Sequence, residues 1–233
     1  MSKVKLLVYR CCYITLALMI IGVAIDVSIK AGLGVSSWTV FHLGIAKHTG
    51  FTQGQISQFV GLVIVGLSYF LGIKPALGTV MNMVLIGWFY DLSVVLSLIP
   101  QATNLYAAAF YIAVSVFLTG FGGAMYMSAG LGAGPRDSLM LALTKHLNWP
   151  VGRIKTTMEV TVLVLGWILG GPVGIGTVAF SISVGPTMQR SFEFFRSLTA
   201  INSLAGAVMV IPVAKRAVKA KIARGCLSTE TPS

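Results

Sequence analysis

Gly130-Leu-Gly-Ala-Gly134-Pro135-Arg136-Asp137 brings three glycines, a proline, a cation and an anion into eight residues. Glycine permits close backbone approach, proline suits a first helical position, and an aspartate in the first turn complements the positive end of a helix dipole. Two readings follow. One is a well-formed turn without a ligand. The other is an anion or carboxylate site in which free amides at a helix start act together with Arg136 and Asp137, while Gly132 and Gly134 let the backbone approach the substrate. No strand precedes the glycines, so dinucleotide binding is excluded.

The partner pattern Gly32-Leu-Gly-Val-Ser-Ser-Trp-Thr39 keeps the glycines and replaces the charged pair with Trp38 and Thr39. Trp38 is either an interfacial anchor or a surface on which a ligand stacks. Further ionisable groups fall inside apolar runs, where they are costly and mark candidate sites. Asp91 and Glu159 are the candidates for ion or proton coupling, with pairing to Arg153 and Lys155 as the alternative for Glu159. Asp26 lies near a helix end and is expected to snorkel, and Glu193 sits at a solvated junction. His42, His48 and His146 lack metal-ligand spacing and are expected in solvated or capping roles. No Ser/His/Asp grouping, metal motif or P-loop occurs, so neither an enzyme nor a cofactor is expected. The cysteines, Cys11, Cys12 and Cys226, imply no disulfide framework.

The elements that position these groups follow from composition. Of 233 residues, 56% are apolar before 26 glycines are counted, and only 10% are charged against a usual ~25%. With a mean hydropathy of +0.87, the polar surface is too small to coat a soluble particle, and the lipid bilayer is the expected solvent. The net charge of +11 comes from basic residues that bound apolar runs, as membrane topology requires, so nucleic acid is not an expected partner. Apolar stretches at 7–29, 56–73, 76–99, 105–127, 154–169, 174–188 and 198–213 predict about seven transmembrane helices. Two amphipathic pieces, 36–46 and 135–147, are too short to span and predict re-entrant or interfacial helices.

Shifted by 98 residues, the chain lies over itself: Ala31-Gly-Leu-Gly34 over Ala129-Gly-Leu-Gly132, Lys47-His48 over Lys145-His146, and Gly78-Thr-Val80 over Gly176-Thr-Val178. The expected fold is therefore an all-α integral membrane protein built from two duplicated three-helix units, each with one short helix. The units occupy residues 1–104 and 105–196, followed by an extra helix at 197–214 and a basic polar tail at 215–233. Three spans per unit would invert the copies, a plan found in secondary transporters. With the N-terminus in the cytoplasm, loop charges mostly satisfy the positive-inside rule. Seven spans would leave the basic tail outside, against that rule.

The GLGAGPRD segment, the duplicated AGLG turn and the Gly174-Ile-Gly-Thr177 run resemble the YczE/YyaS/YitT group of bacterial multi-pass membrane proteins. The resemblance implies a cytoplasmic (inner) membrane location and supplies no substrate. The expected function is a small-molecule secondary transporter or substrate-binding membrane component for a small anionic or zwitterionic solute. The alternative is a non-transporting accessory protein, acting through a membrane partner or a homo-oligomer.

Overall fold

Ser36, Thr52 and Asn104 each stand just before a helix with their side-chain oxygens turned onto its first free amides, so the chain marks its own helix starts. In a computed structural model, which describes the backbone of residues 3–204 and the side chains of residues 4–195, eight helices and no strands occur among the described residues. They are α1 (Lys3–Ala31), α2 (Ser37–Thr49), α3 (Gln53–Phe70), α4 (Leu77–Val95), α5 (Leu105–Ser128), α6 (Pro135–Leu147), α7 (Val151–Ile168) and α8 (Ile175–Leu204). Residues up to Glu193 form one compact unit, and all contacts below lie within it.

The all-helical expectation and both short helices are borne out. Three stretches, Val4–Ala31 in α1, Leu77–Val95 (α4) and Leu105–Ser128 (α5), are long and apolar enough to cross a membrane. One expected boundary is absent. Separate helices were expected at 174–188 and from 198, but α8 continues unbroken through Pro186, Arg190 and Glu193 to Leu204. The remainder of the expected extra helix and the basic tail lie outside the described residues.

Packing departs from that of a water-soluble protein at close helix contacts and at the surface, although Ile14 and Leu18 are fully buried. Small residues fill the contact between α1 and α5, with Ala17 and Ala24 fully buried and Gly122 against the Ala17 carbonyl. Large apolar side chains such as Phe70, Phe110, Trp167 and Ile182 point outward. Small residues bring helix backbones close, and lipid solvates the large ones.

Pairwise contacts fix the helix directions. In α1 and α4, Gly22 faces Phe89 while Ser93 Oγ donates to Asp26 Oδ2 at 2.6 Å, so the two run parallel. Gln58 Nε2 donates to the Val84 carbonyl and the Gly54 amide to Asp91 Oδ1, which makes α3 antiparallel to α4. Ser115 Oγ donates to the Ala24 carbonyl at 2.9 Å while Gly122 meets Ala17, so α1 and α5 are antiparallel.

Residues 98 apart make matching contacts across the unit. The Gly78 amide donates to the Leu131 carbonyl at 2.9 Å, and the Gly176 amide to the Leu33 carbonyl at 2.7 Å. His146 Nε2 donates to the Leu71 carbonyl at 3.0 Å, and His48 Nε2 to the Leu169 carbonyl at 3.2 Å, in the capping role expected of both. Each glycine turn thus docks on the start of a helix distant in sequence, and each short helix ends against the last carbonyls of another.

Candidate functional site

Serine at position 36 and glycine at position 134, equivalent by the 98-residue shift, give the two short helices different beginnings. The Ser36 hydroxyl accepts from the Thr39 amide, so α2 is capped by its own chain. Gly134 has no side chain, and α6 starts with Pro135 and no side-chain cap. Its first turn, with Arg136 and Asp137, opens onto a cavity of about 260 Å³ to which all eight helices contribute.

Equivalent positions face each other in this cavity. Trp38 lies opposite Arg136 in the pattern, His42 opposite Met140, Ser57 opposite Lys155, and Gly61 opposite Glu159. The geometry is paired and the charge is not: Arg136, Asp137, Lys155 and Glu159 all come from the second half of the chain. Arg136 lines the cavity and keeps accessible surface. Its guanidinium carbon lies 4.6 Å from the centre of the Trp38 ring, a cation–π stack. Trp38 Nε1 in turn donates to Glu159 Oε1 at 3.1 Å. The indole therefore separates a cation and an anion that would otherwise neutralise each other.

Of the sequence candidates, Arg136, Asp137, Gly134, Trp38 and Glu159 come together here. Trp38 is 5% exposed, and its ring stacks on the protein's own Arg136. Glu159 faces the Trp38 indole. Gly132 does not line the cavity; it packs against Ala76 in the turn behind. Asp91 is also elsewhere: its carboxylate accepts from Thr52 Oγ1 at 2.6 Å and from the Gly54 amide at 3.1 Å, an arrangement that closes the start of α3.

A stability effect without a ligand effect is expected there. Asp91→Leu leaves the Gly54 amide unpaired and should cost about 1–3 kcal/mol, lowering the Tm of purified protein, while Asp91→Asn retains an acceptor and should cost less. An Asp91→Asn protein that melts normally but loses ligand response would restore the coupling role.

Two residues depart from their expected roles. Asp26 does not snorkel; at 1% exposure it is buried between α1 and α4 with Ser93 as partner, because α1 continues to Ala31 and carries it inside. His42, expected in a solvated or capping role, is 2% exposed, lines the cavity and leaves Nε2 without a partner. Its position one helical turn after Trp38 was the available signal, since residues four apart share a face. Lys155 was noticed only as a neighbour of Glu159, and the same spacing places both on one face of α7.

Helices long and apolar enough for lipid, outward large side chains and a charged internal cavity together define a multi-helix membrane protein. Within that class the chain belongs to a family of unknown function, DUF6198, whose model matches residues 8–192. It is 39% identical over 189 residues to the uncharacterised membrane protein YczE of Bacillus subtilis, covering 80% of this chain and 85% of YczE. An uncharacterised Haemophilus influenzae protein is 33% identical, covering 79% of this chain and 82% of that protein. YyaS of Bacillus subtilis is 25% identical, covering 77% and 90% respectively. The expected resemblance to YczE and YyaS is borne out. No solved structure matches.

Proposed function

We propose that the chain is a small-solute carrier of the bacterial inner membrane, built from two inverted three-span repeats with the substrate held between them. The observation that carries this reading is the cavity itself, lined by positions 98 apart and charged from one half alone. A contact and its 98-residue counterpart exchange the halves, as in Gly78 to Leu131 and Gly176 to Leu33, and such reciprocity fits a two-fold relation. The antiparallel pair α1 and α5 are exchanged by that two-fold, and both are long and apolar enough to span. An axis that reverses two spanning helices lies in the membrane plane, which supports inverted repeats. With α1 parallel to α4 and antiparallel to α3, α2 returns to the side on which α1 ended, giving three spans per half. The cytoplasmic N-terminus follows from loop charge.

Transport then needs the cavity to open alternately toward each side while Arg136 holds an anionic group and Glu159 answers a positive one, on the solute or on a coupling cation. The test is sidedness. In a cysteine-free background, Thr49→Cys should react with a membrane-impermeant thiol reagent on intact cells, and Leu147→Cys only after permeabilisation. Reaction of both, or of neither, would make the repeats parallel and remove this argument for a carrier.

A further inference from the structure

Resting on the reading of the cavity as a solute site, we infer that its occupant is a small zwitterion, with a carboxylate held by Arg136 and the first turn of α6, an ammonium held by Glu159, and an apolar body between them.

The carboxylate end is defined by groups that lack protein partners. No described residue accepts a hydrogen bond from the Arg136 guanidinium; its face lies on Trp38, which leaves the N–H edges for an acceptor. Guanidinium edges match the two oxygens of a carboxylate. The start of α6, where Pro135 leads and the N-cap Gly134 has no side chain, adds its dipole, and His42 lines the same cavity.

The ammonium end follows from charge balance. Arg136 and Lys155 are matched by Asp137 and Glu159, so the cavity is neutral as a whole. A bare anion would leave the two carboxylates in excess, and a bare cation would leave the arginine unanswered; burying uncompensated charge is costly. A neutral molecule with separated charges answers both ends. Trp38 occupies only Oε1 of Glu159, and no described residue donates a hydrogen bond to the other carboxylate oxygen.

The apolar body follows from the walls. Met83, Met127, Met140, Met158 and Met188 line the cavity, and thioether side chains adapt to varied apolar shapes. About 260 Å³ is roughly nine times the ~30 Å³ share of a water molecule, which suits a solute of on the order of ten non-hydrogen atoms. A short α-amino acid with a branched side chain has that size and chemistry.

The experiment uses the purified full-length protein in lipid nanodiscs and follows thermal stability with three probes of one shape: L-leucine, 4-methylpentanoate and 3-methylbutylamine. L-leucine should raise the Tm at concentrations at least tenfold below either single-charge analogue. Arg136→Gln should abolish the shift, and Glu159→Gln should remove the preference for L-leucine over 4-methylpentanoate. Equal binding of 4-methylpentanoate and L-leucine, unaltered in Glu159→Gln, would overturn the zwitterion and leave an anion carrier. If no probe binds, Ser57→Cys in a cysteine-free background separates the remaining cases. Reaction with a small water-soluble thiol reagent would overturn the zwitterion alone, whereas a folded protein that does not react would overturn the carrier reading with it.

Discussion

Gly34→Ala and Gly132→Ala should each leave little folded protein. Both residues have backbone angles that side chains rarely adopt, φ of 100° and 120°, and both lie against another element. A Cβ on Gly34 would sit 2.6 Å from the Gly174 amide nitrogen and 2.7 Å from Thr177 Oγ1, and one on Gly132 would collide with Ala76. Backbone strain of about 1–3 kcal/mol adds to an overpacking cost of about 1–3 kcal/mol. Their sum of about 2–6 kcal/mol is a large part of the ~5–15 kcal/mol that holds a typical protein folded. Gly66→Ala is the control: it lies in α3 with no atom within 4 Å of its Cβ, and helix propensity favours alanine by up to ~1 kcal/mol. Recovery of monodisperse protein on size exclusion, followed by thermal melting, reads all three. Normal melting of Gly34→Ala would mean that the turn does not hold the two halves together.

Trp38→Leu should weaken binding of the cavity ligand at least tenfold and also lower the Tm of the unliganded protein, because the indole is buried. The indole does two things at once: it lies under the Arg136 guanidinium and donates to Glu159. A stack of this kind contributes about 0.5–2 kcal/mol, and a hydrogen bond to a charged group about 1.5–3 kcal/mol. Leucine removes both, and Arg136 is then free to close on Glu159, so the site neutralises itself. Trp38→Phe keeps the stack and loses the hydrogen bond, so its affinity should fall between the two. L-leucine titrations followed by thermal shift distinguish them. Wild-type affinity in Trp38→Leu would reduce the indole to a packing residue.

The membrane setting was readable from composition, and helix starts from their capping residues, because both are local properties. Arg136 and its glycine-rich approach were readable for the same reason: a turn, a proline and a charge lie together in the chain. What the sequence concealed depends on partners distant along it. Asp91 looks like a membrane-buried acid until Thr52 and Gly54 are placed beside it. His42 carries no local signal beyond its spacing from Trp38, and its burial at 2% exposure depends on elements distant in the chain. The break expected before residue 198 rested on Arg190, Glu193 and Arg196, yet charges do not end a helix and Pro186 did not end α8.

The crossed docking of the two turns also sets an order of events during synthesis. Among the described residues the Leu33 carbonyl is answered by the Gly176 amide, which is made after most of the chain. At ~5–20 residues per second, on the order of ten seconds separate the two. Throughout that interval the first half has an unanswered polar group at the end of α1, and until α5 is made it also has a bare face. The first half therefore completes its polar contacts only when α8 arrives.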